Sequence, residues 1–455
     1  MGKGKLHIAM VPWVAMGHLI PFMELSKRIA QQGHKISFLS TPKNITRLPK
    51  VPPNLSHLIQ LIQLPLPPTN NLPAEAEASI DLPSDDLRPY LRIAYDGLQS
   101  QLSDFLQMAN PDWIIIDYAP YWVPQVAAAL GIPCAFLSLF SSASLSFFGP
   151  PSVLNGSTLA RKTPEDFTKV PEWVPFDSSI YYRGHEAREL FEPGVLPDES
   201  GVSEAYRFAK VIEDCKVVVV RSCVEFEEHW LKLLSDIYQR PIIPVGVFAP
   251  LPERDVPFLR HDMIDWLDKQ KQNSVVYAAF GSEAKLKSTQ VHEIALGLQM
   301  SQLPFIWALR DPNGLPEHFE ERINAQGIIC KGWAPQVSIL AHPSVGGFLT
   351  HGGWNSIIEG IAYGLKLVLL PLMFDQGLNA RDMVDRGIGI EVDRDEIDGS
   401  FTGRDIAKGL QLVMVEKKLG EELRCKGQEY KRIFGDEEMN QRCVTRFLEY
   451  LSDNT

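Results

Sequence analysis

The stretch that most constrains this chain is residues 333–376, where a strand pattern runs into two glycines and then into a helical pattern. Residues 346–350 (GGFLT) are predicted to form a short buried strand, and apolar residues recur at helical spacing from Ile357 onward. The turn between them, at Gly352 and Gly353, leaves backbone N–H groups open, with the positive end of a helix dipole behind them. A strand, turn and helix of this kind predict a phosphate-binding site.

Polar side chains surround this predicted phosphate site. Asn355 and Ser356 add hydrogen-bond donors in the first helical turn, and one turn on Glu359 suits a ribose diol better than a phosphate. A second predicted strand ends shortly before Asp375 and Gln376, an acid–amide pair suited to sugar hydroxyls. Ligands of open parallel sheets bind at the carboxyl ends of the strands. The stretch therefore predicts a nucleotide sugar as the ligand.

The same alternation of strand and helix patterns runs through most of the chain, so the fold is predicted to be α/β with parallel sheets. The strands of a first sheet are predicted at residues 6–11, 35–40, 113–117, 134–139, 217–221 and 242–245, and those of a second at 274–279, 305–309, 327–331, 345–349, 366–370 and 388–392. A chain of 455 residues is long enough for two such domains of about 200 residues each. We predict a first domain at 1–245, a Pro-rich linker at 246–260, a second domain at 261–435, and a final helix at 436–455 that returns to the first domain.

Two segments of the first domain bear on the site. Residues 91–108 are predicted to form one helix. Residues 141–204 show no clean period and are rich in Pro, Gly and aromatic residues, and such a long irregular stretch in a compact domain is usually functional. We expect this segment to roof a pocket for a second substrate.

Composition excludes several classes of protein. The formal net charge of −12 argues against nucleic acid as a partner, because phosphate backbones need a basic face. The six cysteines are scattered without a C-x-x-C motif, which fits a reduced protein better than a disulfide framework or a zinc site. The chain enters its first strand almost at once and has no run of about 18 apolar residues, so neither a signal peptide nor a membrane span is expected. We expect a cytoplasmic monomer.

His18 and Asp117 are the candidates for catalysis. His18 follows the first predicted strand and Asp117 ends another, so both are expected at the carboxyl edge of one parallel sheet. A hydroxyl that attacks an anomeric carbon needs a base near it, and histidine suits that role. A neighbouring carboxylate can fix the tautomer of the imidazole and stabilise its protonated form. Spacing alone leaves two alternatives open, because either residue could cap a helix and His18 could be a satisfied core histidine.

Residues 333–376 also match a known pattern at many positions. The matching residues are Trp333, Pro335, Gln336, His342, Gly347, Thr350, His351, Gly353, Trp354, Asn355, Ser356, Glu359, Gly364, Pro371, Asp375 and Gln376. The stretch resembles the secondary product glycosyltransferase box of the plant family-1 UDP-glycosyltransferases. Two positions depart from the family pattern, since Gly352 stands where Cys is usual and Lys366 where Pro is frequent. Neither is expected to touch the donor.

The resemblance implies a GT-B architecture, in which two doubly wound Rossmann-like domains face each other across a cleft. It implies that His18 is the catalytic base, that Asp117 orients it, and that the donor is a UDP-sugar. The donor is expected to place uracil at Trp333 and Ala334, ribose at Gln336 and Glu359, the diphosphate at His351, Asn355, Ser356 and Ser282, and the sugar at Trp354, Asp375 and Gln376. Trp333 could instead pack in the core, and His351 could be structural. No metal and no cofactor are expected, because no acidic metal motif accompanies these residues.

A second set of residues is predicted to hold the acceptor. Its members are aromatic or small, and they lie at strand ends of the first domain or in the irregular segment. They are Trp13, Met16, Tyr118, Trp122, Ser141, Ser142, Phe147, Phe148, Tyr181, Tyr182 and Phe191. Each alone is more often a core residue, and we expect about half of them to contact the acceptor. Together they indicate a flat, partly apolar small molecule.

Four segments resemble one subgroup of this family, the branch-forming plant enzymes that add a sugar to an existing glycoside. These segments are residues 12–49, 111–122, 280–286 and 371–381. We therefore predict an inverting transferase that moves a sugar, most simply glucose, from its UDP donor to a sugar hydroxyl of a flavonoid or terpenoid glycoside. A UDP-rhamnose donor and free aglycone acceptors are open alternatives. A nicotinamide-dependent dehydrogenase is disfavoured because no G-x-G-x-x-G follows the first strand. A non-catalytic binding protein would need neither His18 nor Asp117.

Overall fold

Two parallel sheets form the framework of the protein, whose computed structural model describes residues 4–158, 160–251 and 261–455. The strands of the first sheet are β1 His7–Val11, β2 Lys35–Ser40, β3 Ile59–Gln63, β4 Trp113–Ile116, β5 Cys134–Ser138, β6 Val217–Val220 and β7 Ile242–Pro244. Those of the second are β8 Val275–Ala279, β9 Phe305–Leu309, β10 Gly327–Lys331, β11 Val345–Thr350, β12 Lys366–Leu369 and β13 Gly389–Glu391. The spatial orders are β3-β2-β1-β4-β5-β6-β7 and β10-β9-β8-β11-β12-β13. Both sheets are doubly wound, and the predicted α/β architecture is confirmed.

Helices cover both faces of the sheets. In the first half of the chain they are α1 Met16–Gln31, α2 Pro42–Arg47, α3 Arg88–Asp96, α4 Gln99–Ala109, α5 Val123–Ala129, α6 Ser142–Phe148, α7 Pro151–Leu154, α8 Gly184–Val195, α9 Glu204–Asp214 and α10 Val224–Tyr238. In the second half they are α11 His261–Leu267, α12 Ser288–Ser301, α13 Phe319–Ile323, α14 Gln336–Leu340, α15 Trp354–Ala362, α16 Gln376–Asp385, α17 Gly403–Met414, α18 Lys417–Phe434 and α19 Glu437–Asp453. Strands such as β4 and β6 are apolar throughout, as required of strands covered on both faces. Within the described ranges, no helix combines the length and the apolar character needed to cross a bilayer.

The first sheet contains a strand that the sequence patterns do not predict, β3. Its sequence, IQLIQ, has polar residues between apolar ones, and only Ile59 is buried. It is the outermost strand of the sheet and pairs with β2. A partly solvated edge strand lacks the continuous apolar run that marks the central strands, which is why it escapes notice in the sequence.

Two expectations for the first domain are wrong. The helix predicted at residues 91–108 is two helices, α3 and α4, which meet near Gly97. Gly97 packs so closely on Pro67 that a Cβ atom at this position would lie 2.6 Å from its Cγ. The segment 141–204 is also more regular than expected, because it contains α6, α7 and α8 joined by turns.

The last helix, α19, packs against the first sheet. Its buried residues Val444, Phe447, Leu448 and Leu451 belong to the same hydrophobic core as β1 and α1. Trp113, on β4, also lies in this core and donates its indole N–H to the backbone oxygen of Leu451 at 3.0 Å. Residues far apart in sequence therefore complete the core beneath one face of the first sheet.

The start of α19 also fastens the chain segment that leaves the first sheet. Asn440 accepts hydrogen bonds from the backbone N–H groups of Val247 (2.9 Å) and Phe248 (3.1 Å) through its Oδ1. Gly246 has a φ of 90° and lies so close to Asn440 that a Cβ atom would be 2.5 Å from this oxygen. Of the linker predicted at 246–260, residues 252–260 lie outside the described residues.

Removal of the Phe447 side chain tests the part that α19 plays in the core. Phe447 is fully buried, so Phe447→Ala should leave a cavity and lower the free energy of unfolding by about 3–5 kcal/mol. Denaturant unfolding followed by tryptophan fluorescence measures this change. Glu449, exposed on the same helix, supplies the control, and Glu449→Ala should alter the free energy by less than about 0.5 kcal/mol. Equal unfolding midpoints for the two variants would contradict the assignment of α19 to the first core.

Candidate functional site

A cavity of about 1440 Å³ lies between the carboxyl edges of the two sheets. Its walls include the segments that follow β1 and β4 on one side, and those that follow β8, β11 and β12 on the other. This is where open parallel sheets bind ligands. Pockets for one small molecule are usually about 300–1,000 Å³. The cavity therefore has room for more than one ligand.

His18 and Asp117 meet at the wall formed by the first sheet. His18 Nδ1 lies 2.7 Å from Asp117 Oδ2, and the carboxylate also accepts the backbone N–H groups of Trp13 (3.1 Å) and Tyr118 (2.8 Å). Asp117 is 1% exposed, whereas the His18 side chain is 19% exposed and lines the cavity. The second ring nitrogen, Nε2, has no hydrogen-bond partner among the described residues. The pair therefore presents one free imidazole nitrogen to the cavity.

The electrostatics of His18 favour its protonated form. Burial lowers the pKa of His18, but the Asp117 carboxylate opposes this through its charge and its hydrogen bond, and Glu283 and Asp375 add to the opposition. The net result is a pKa above the usual 6.5. A histidine whose pKa is raised by a carboxylate partner can accept a proton from a bound group and hold it, as a general base does.

The turn between β11 and α15 has the open backbone that the sequence predicts. Gly353 precedes the helix, and no side chain caps the N–H groups of the first turn. Ser356, in that turn, lines the cavity and its hydroxyl has no hydrogen-bond partner in the described part of the chain. These donors and the helix dipole suit an anion such as a diphosphate.

His351 lies in a slot between two glycines beside this turn. A Cβ atom at Gly281 would be 2.8 Å from the imidazole Cε1, and one at Gly353 would be 2.6 Å from Nε2. Burial lowers the pKa of His351 to about 4, so the imidazole is neutral near pH 7 and donates through a single N–H. Ser282, which follows Gly281, lines the same wall. Turns after β8 and β11 thus bring both residues to the anion site.

A chain of two hydrogen bonds links Tyr277, Gln336 and Glu359 in the lining of the cavity, which also includes an exposed indole. Gln336 Nε2 donates to Glu359 Oε2 at 2.6 Å, and the Tyr277 hydroxyl donates to Gln336 Oε1 at 3.2 Å. Burial raises the pKa of Glu359, although Gln336 and Arg221 oppose the shift. Trp333 is 68% exposed and lines the cavity with Ala334, so the alternative that Trp333 packs in the core is wrong. An exposed indole and a carboxylate–amide pair in the lining of one cavity suit a nucleoside.

The opposite end of this wall carries Asp375 and Gln376. Burial raises the pKa of Asp375 to about 6, against the effect of its hydrogen bond from Asn379 Nδ2 at 2.8 Å. Gln376 accepts the backbone N–H groups of Leu372 (2.8 Å) and Met373 (2.9 Å) through Oε1. Its amide N–H groups have no partner among the described residues and remain available to a ligand. The pair can therefore both donate to and accept from hydroxyl groups.

Two of the predicted donor residues line the cavity and also hold side-chain contacts within the protein. The Trp354 indole is buried and donates to the backbone oxygen of Arg221 at 3.1 Å, so only the backbone of this residue belongs to the helix start. The Asn355 side chain donates to the backbone oxygen of Gly17 at 2.8 Å and accepts a hydrogen bond from the Arg221 guanidinium. Asn355 therefore joins the two domains next to His18, and it lines the cavity with one amide N–H not used in these contacts.

Arg221 is the residue at this junction that sequence reasoning missed. It follows β6, is 3% exposed, and donates to the backbone oxygens of Val247 (2.9 Å) and Phe248 (3.4 Å). Burial lowers the pKa of Arg221 to about 10, although Glu359 and Glu24 oppose the shift. A charged residue directly after a run of four valines was the available signal, because this is a strand end in a parallel sheet.

Part of the predicted acceptor set lines the cavity. Those that do are Trp13, Met16, Tyr118, Phe148 and Tyr182. Those that do not are Trp122, Ser141, Ser142, Phe147, Tyr181 and Phe191. Trp122 instead donates its indole N–H to Asp96 at 2.9 Å, Ser141 caps α6 and donates to Asn379 at 2.9 Å, and Phe191 packs edge-on against Phe167. The acceptor assignment of these six residues is therefore corrected.

Further aromatic and charged residues of the first domain, which were not predicted, also line the cavity. Phe140 and Phe208 line the cavity, with ring centroids 5.3 Å apart. Phe140 follows β5 closely, so the strand-end rule could have found it, whereas Phe208 lies within the apolar pattern of α9 and reads as a core residue. Arg92 and Glu204 also line the cavity and form an ion pair. The first-domain wall therefore carries several aromatic rings, with charged groups among them.

Titration of the histidines tests the electrostatics of the site. We expect His18 to titrate above pH 6.5 and His351 near pH 4 in NMR spectra of protein labelled at the imidazole nitrogens. Asp117→Asn removes the main interaction that raises the His18 pKa and leaves burial in place, so the His18 midpoint should fall below 6.5. His18→Gln assigns the signal. A midpoint unchanged in Asp117→Asn would mean that Asp117 does not set the charge of His18.

Comparisons with known proteins identify the family to which the chain is similar. The family model described as "UDP-glucoronosyl and UDP-glucosyl transferase" matches residues 206–424. The chain is 47% identical to UDP-glycosyltransferase 91C1 of Arabidopsis thaliana, over 98% of this chain and 96% of that protein. It is 39% identical to soyasaponin III rhamnosyltransferase of Glycine max, over 98% and 95% of the two chains.

A solved structure shares the whole fold. Glycyrrhiza uralensis UGT73P12, crystallised with glycyrrhetinic acid 3-O-monoglucuronide, superposes with a TM-score of 0.80 at 23% identity, covering 99% of this chain and 96% of that one. This similarity confirms the GT-B architecture. With near-complete coverage at 47% identity to a plant enzyme, the chain belongs to the plant family-1 UDP-glycosyltransferases.

Proposed function

We propose that this UDP-glycosyltransferase inverts the anomeric centre of its donor and acts on a hydroxyl of a small glycoside. One observation carries the proposal. The free Nε2 of His18 and the open helix start at Ser356 line one continuous cavity of about 1440 Å³ from opposite domains. A base on one wall and an anion site on the other suit attack on one face and departure from the other.

The proposed reaction begins with the acceptor. Its hydroxyl donates a proton to His18 Nε2, while its oxygen forms a bond to the anomeric carbon of the donor. Asp117 stabilises the imidazolium that results. The bond from the anomeric carbon to the diphosphate oxygen breaks, and its electron pair leaves with UDP. An α-linked donor therefore gives a β-glycoside.

The leaving UDP is held by the second domain in this proposal. Trp333 offers its exposed indole to uracil, and Gln336 with Glu359 accepts the ribose hydroxyls. The diphosphate lies at the N-terminus of α15, within reach of His351 and Ser356. Donors fixed in a buried site stabilise developing negative charge without having to reorganise.

Glucose is the donor sugar that we propose, held by Asp375 and Gln376. The free amide N–H groups of Gln376 and the carboxyl oxygens of Asp375 suit a sugar with a full set of hydroxyls. The rival is rhamnose, whose donor also carries UDP. It is favoured by the soyasaponin III rhamnosyltransferase, which shares 39% of its residues with this chain.

A glycoside is the acceptor that we propose, in preference to a bare aglycone. The cavity of about 1440 Å³ is larger than the roughly 300–1,000 Å³ usual for one ligand, and charged residues such as Arg92 and Glu204 lie among its aromatic residues. Sugar hydroxyls can hydrogen-bond to these charged groups, while an aglycone packs on the rings. The ligand of the similar Glycyrrhiza uralensis structure is itself a glycoside.

The location that we propose is the cytoplasm.

A matrix of donors and acceptors tests the proposal. UDP-glucose and UDP-rhamnose are each combined with a flavonoid 3-O-glucoside, a terpenoid glycoside and the matching aglycones, and the products are identified by mass spectrometry. We expect transfer of glucose to the glycosides, with a β linkage in the NMR spectrum of the product. Transfer from UDP-rhamnose alone would replace the donor assignment, and transfer to aglycones alone would replace the acceptor assignment. An α linkage in a product formed from UDP-glucose, whose own anomeric bond is α, would overturn the inverting mechanism.

The base assignment has a variant test. His18→Ala removes the proton acceptor, so kcat should fall by about 10²–10⁴-fold. The dissociation constant for UDP, measured by calorimetry, should stay nearly unchanged, because His18 belongs to the opposite domain. His292, exposed on α12, provides the control, and His292→Ala should retain full activity. Wild-type turnover by His18→Ala would refute the role of His18.

A further inference from the structure

Arg161 lines the same cavity but has no part in the reaction described above. Its guanidinium carbon lies 4.3 Å from the ring centroid of Phe147, 4.5 Å from that of Phe167 and 4.9 Å from that of Trp173. Three aromatic rings therefore surround one cation. Ring faces stabilise a positive charge, but they offer few acceptors for the N–H groups at the edge of a guanidinium.

The hydrogen bonds of Arg161 leave some of its guanidinium N–H groups without an acceptor. Nη1 makes a long contact of 3.4 Å to the backbone oxygen of Phe148, and Nη2 is buried without a partner. No carboxylate in the described part of the chain forms an ion pair with this guanidinium. Asp166, the nearest acid in electrostatic effect, accepts the backbone N–H groups of Lys162 (2.9 Å) and Thr163 (3.1 Å) instead. A buried arginine normally has such a carboxylate partner.

A second unpartnered donor lies close to Arg161. The Tyr182 ring packs edge-on against Phe147 with the centroids 5.3 Å apart, so Phe147 contacts both residues. The Tyr182 hydroxyl is buried without a hydrogen-bond partner, and the residue lines the cavity. Buried polar groups in folded proteins are nearly always hydrogen-bonded. Two such groups in one wall point to a ligand that carries acceptor oxygens.

The location of Arg161 indicates which part of a ligand it would meet. His18 and Phe140 have ring centroids 6.3 Å apart, Phe140 and Phe148 are 5.7 Å apart, and Arg161 follows next through the Phe148 backbone. Two aromatic residues therefore separate the guanidinium from the base. A sugar whose hydroxyl reaches His18 would leave its aglycone among these rings. Arg161 then faces the aglycone.

We propose that Arg161 binds a carboxylate on the aglycone of the acceptor, and that the protein prefers acidic glycosides to their neutral analogues. This inference rests on the glycoside-acceptor function proposed above. A carboxylate matches the fork of a guanidinium in shape and charge. It would also supply the acceptor that the buried Nη2 lacks. Tyr182 is a second donor within the same wall.

The alternative is a purely structural role, in which the Arg161 guanidinium only packs between the rings of Phe147, Phe167 and Trp173. Burial lowers the pKa of Arg161 to about 9, although Tyr182 and Asp166 oppose the shift, so the side chain remains a cation at neutral pH. A purely structural cation would affect every acceptor alike. A carboxylate-binding cation affects only the acids, and this difference makes the two roles separable.

A matched pair of acceptors provides the test. Oleanolic acid 3-O-glucoside carries a free carboxyl group on its aglycone, and its methyl ester differs only in the loss of that charge. Affinity of each for the full-length protein with UDP present is measured by calorimetry, which does not depend on turnover. The wild type should bind the acid about tenfold or more tightly than the ester, as expected for a charge-assisted hydrogen bond. Arg161→Met, which keeps an unbranched side chain but removes the charge and the N–H donors, should abolish this ratio by weakening the binding of the acid alone.

A control variant and three outcomes decide the proposal. Lys27 also lines the cavity but has Glu24 within 3.6 Å, so Lys27→Met should leave the acid-to-ester ratio unchanged. Equal affinity of the wild type for acid and ester, binding of neither, or an equal loss of both in Arg161→Met would overturn the carboxylate site. Glucose transfer to a neutral flavonoid glucoside would uphold the proposed function in each of these cases. Absence of transfer to any glycoside would count against the function, whatever the ratio.

Discussion

A buried arginine at the domain junction is the interaction on which the catalytic geometry depends. The Arg221 guanidinium donates to the carbonyl oxygens of Val247 and Phe248 and to Asn355 at the start of α15. Its own carbonyl accepts the indole N–H of Trp354. A buried cation is costly unless its donors are satisfied, so the junction can form only when both domains supply their oxygens. Because Asn355 also donates to the carbonyl oxygen of Gly17, the start of α15 is fastened to the residue that precedes His18.

Burial sets the protonation state of each ionisable group in the cavity, and the direction depends on the partner. His351 has no carboxylate beside it, and burial lowers its pKa to about 4. His18 is equally enclosed, but Asp117 reverses the effect. Burial raises the pKa of Asp375 to about 6, because its amide partner Asn379 and the charge of His18 oppose burial without offsetting it. Burial in one cavity thus leaves His351 a neutral hydrogen-bond donor, His18 a proton acceptor and Asp375 a carboxyl group that is readily protonated.

The sequence predicted what depends on local pattern and strand ends. Central strands such as β4 and β6 were found because they are apolar throughout, and His18 and Asp117 were found because both follow strands of one sheet. The edge strand β3 and the break at Gly97 escaped notice, since solvent exposure and a contact with Pro67 decide them. Side-chain direction was beyond reach for the same reason. Whether the side chain of Asn355 faces a ligand or Gly17 depends on the second domain's position, which no run of residues encodes locally.

The return of α19 to the first sheet has a consequence for how the protein is made. A ribosome releases residues 437–453 long after β1, α1 and β4, yet Phe447 and Leu451 fill the core that those elements share. N-terminal domains usually fold as soon as they emerge. Here the core beneath the first sheet lacks the side chains of α19, and Trp113 lacks its carbonyl partner, until residues 437–453 have been synthesised. A chain cut short before α19 would therefore leave apolar surface of the first domain exposed to chaperones and proteases.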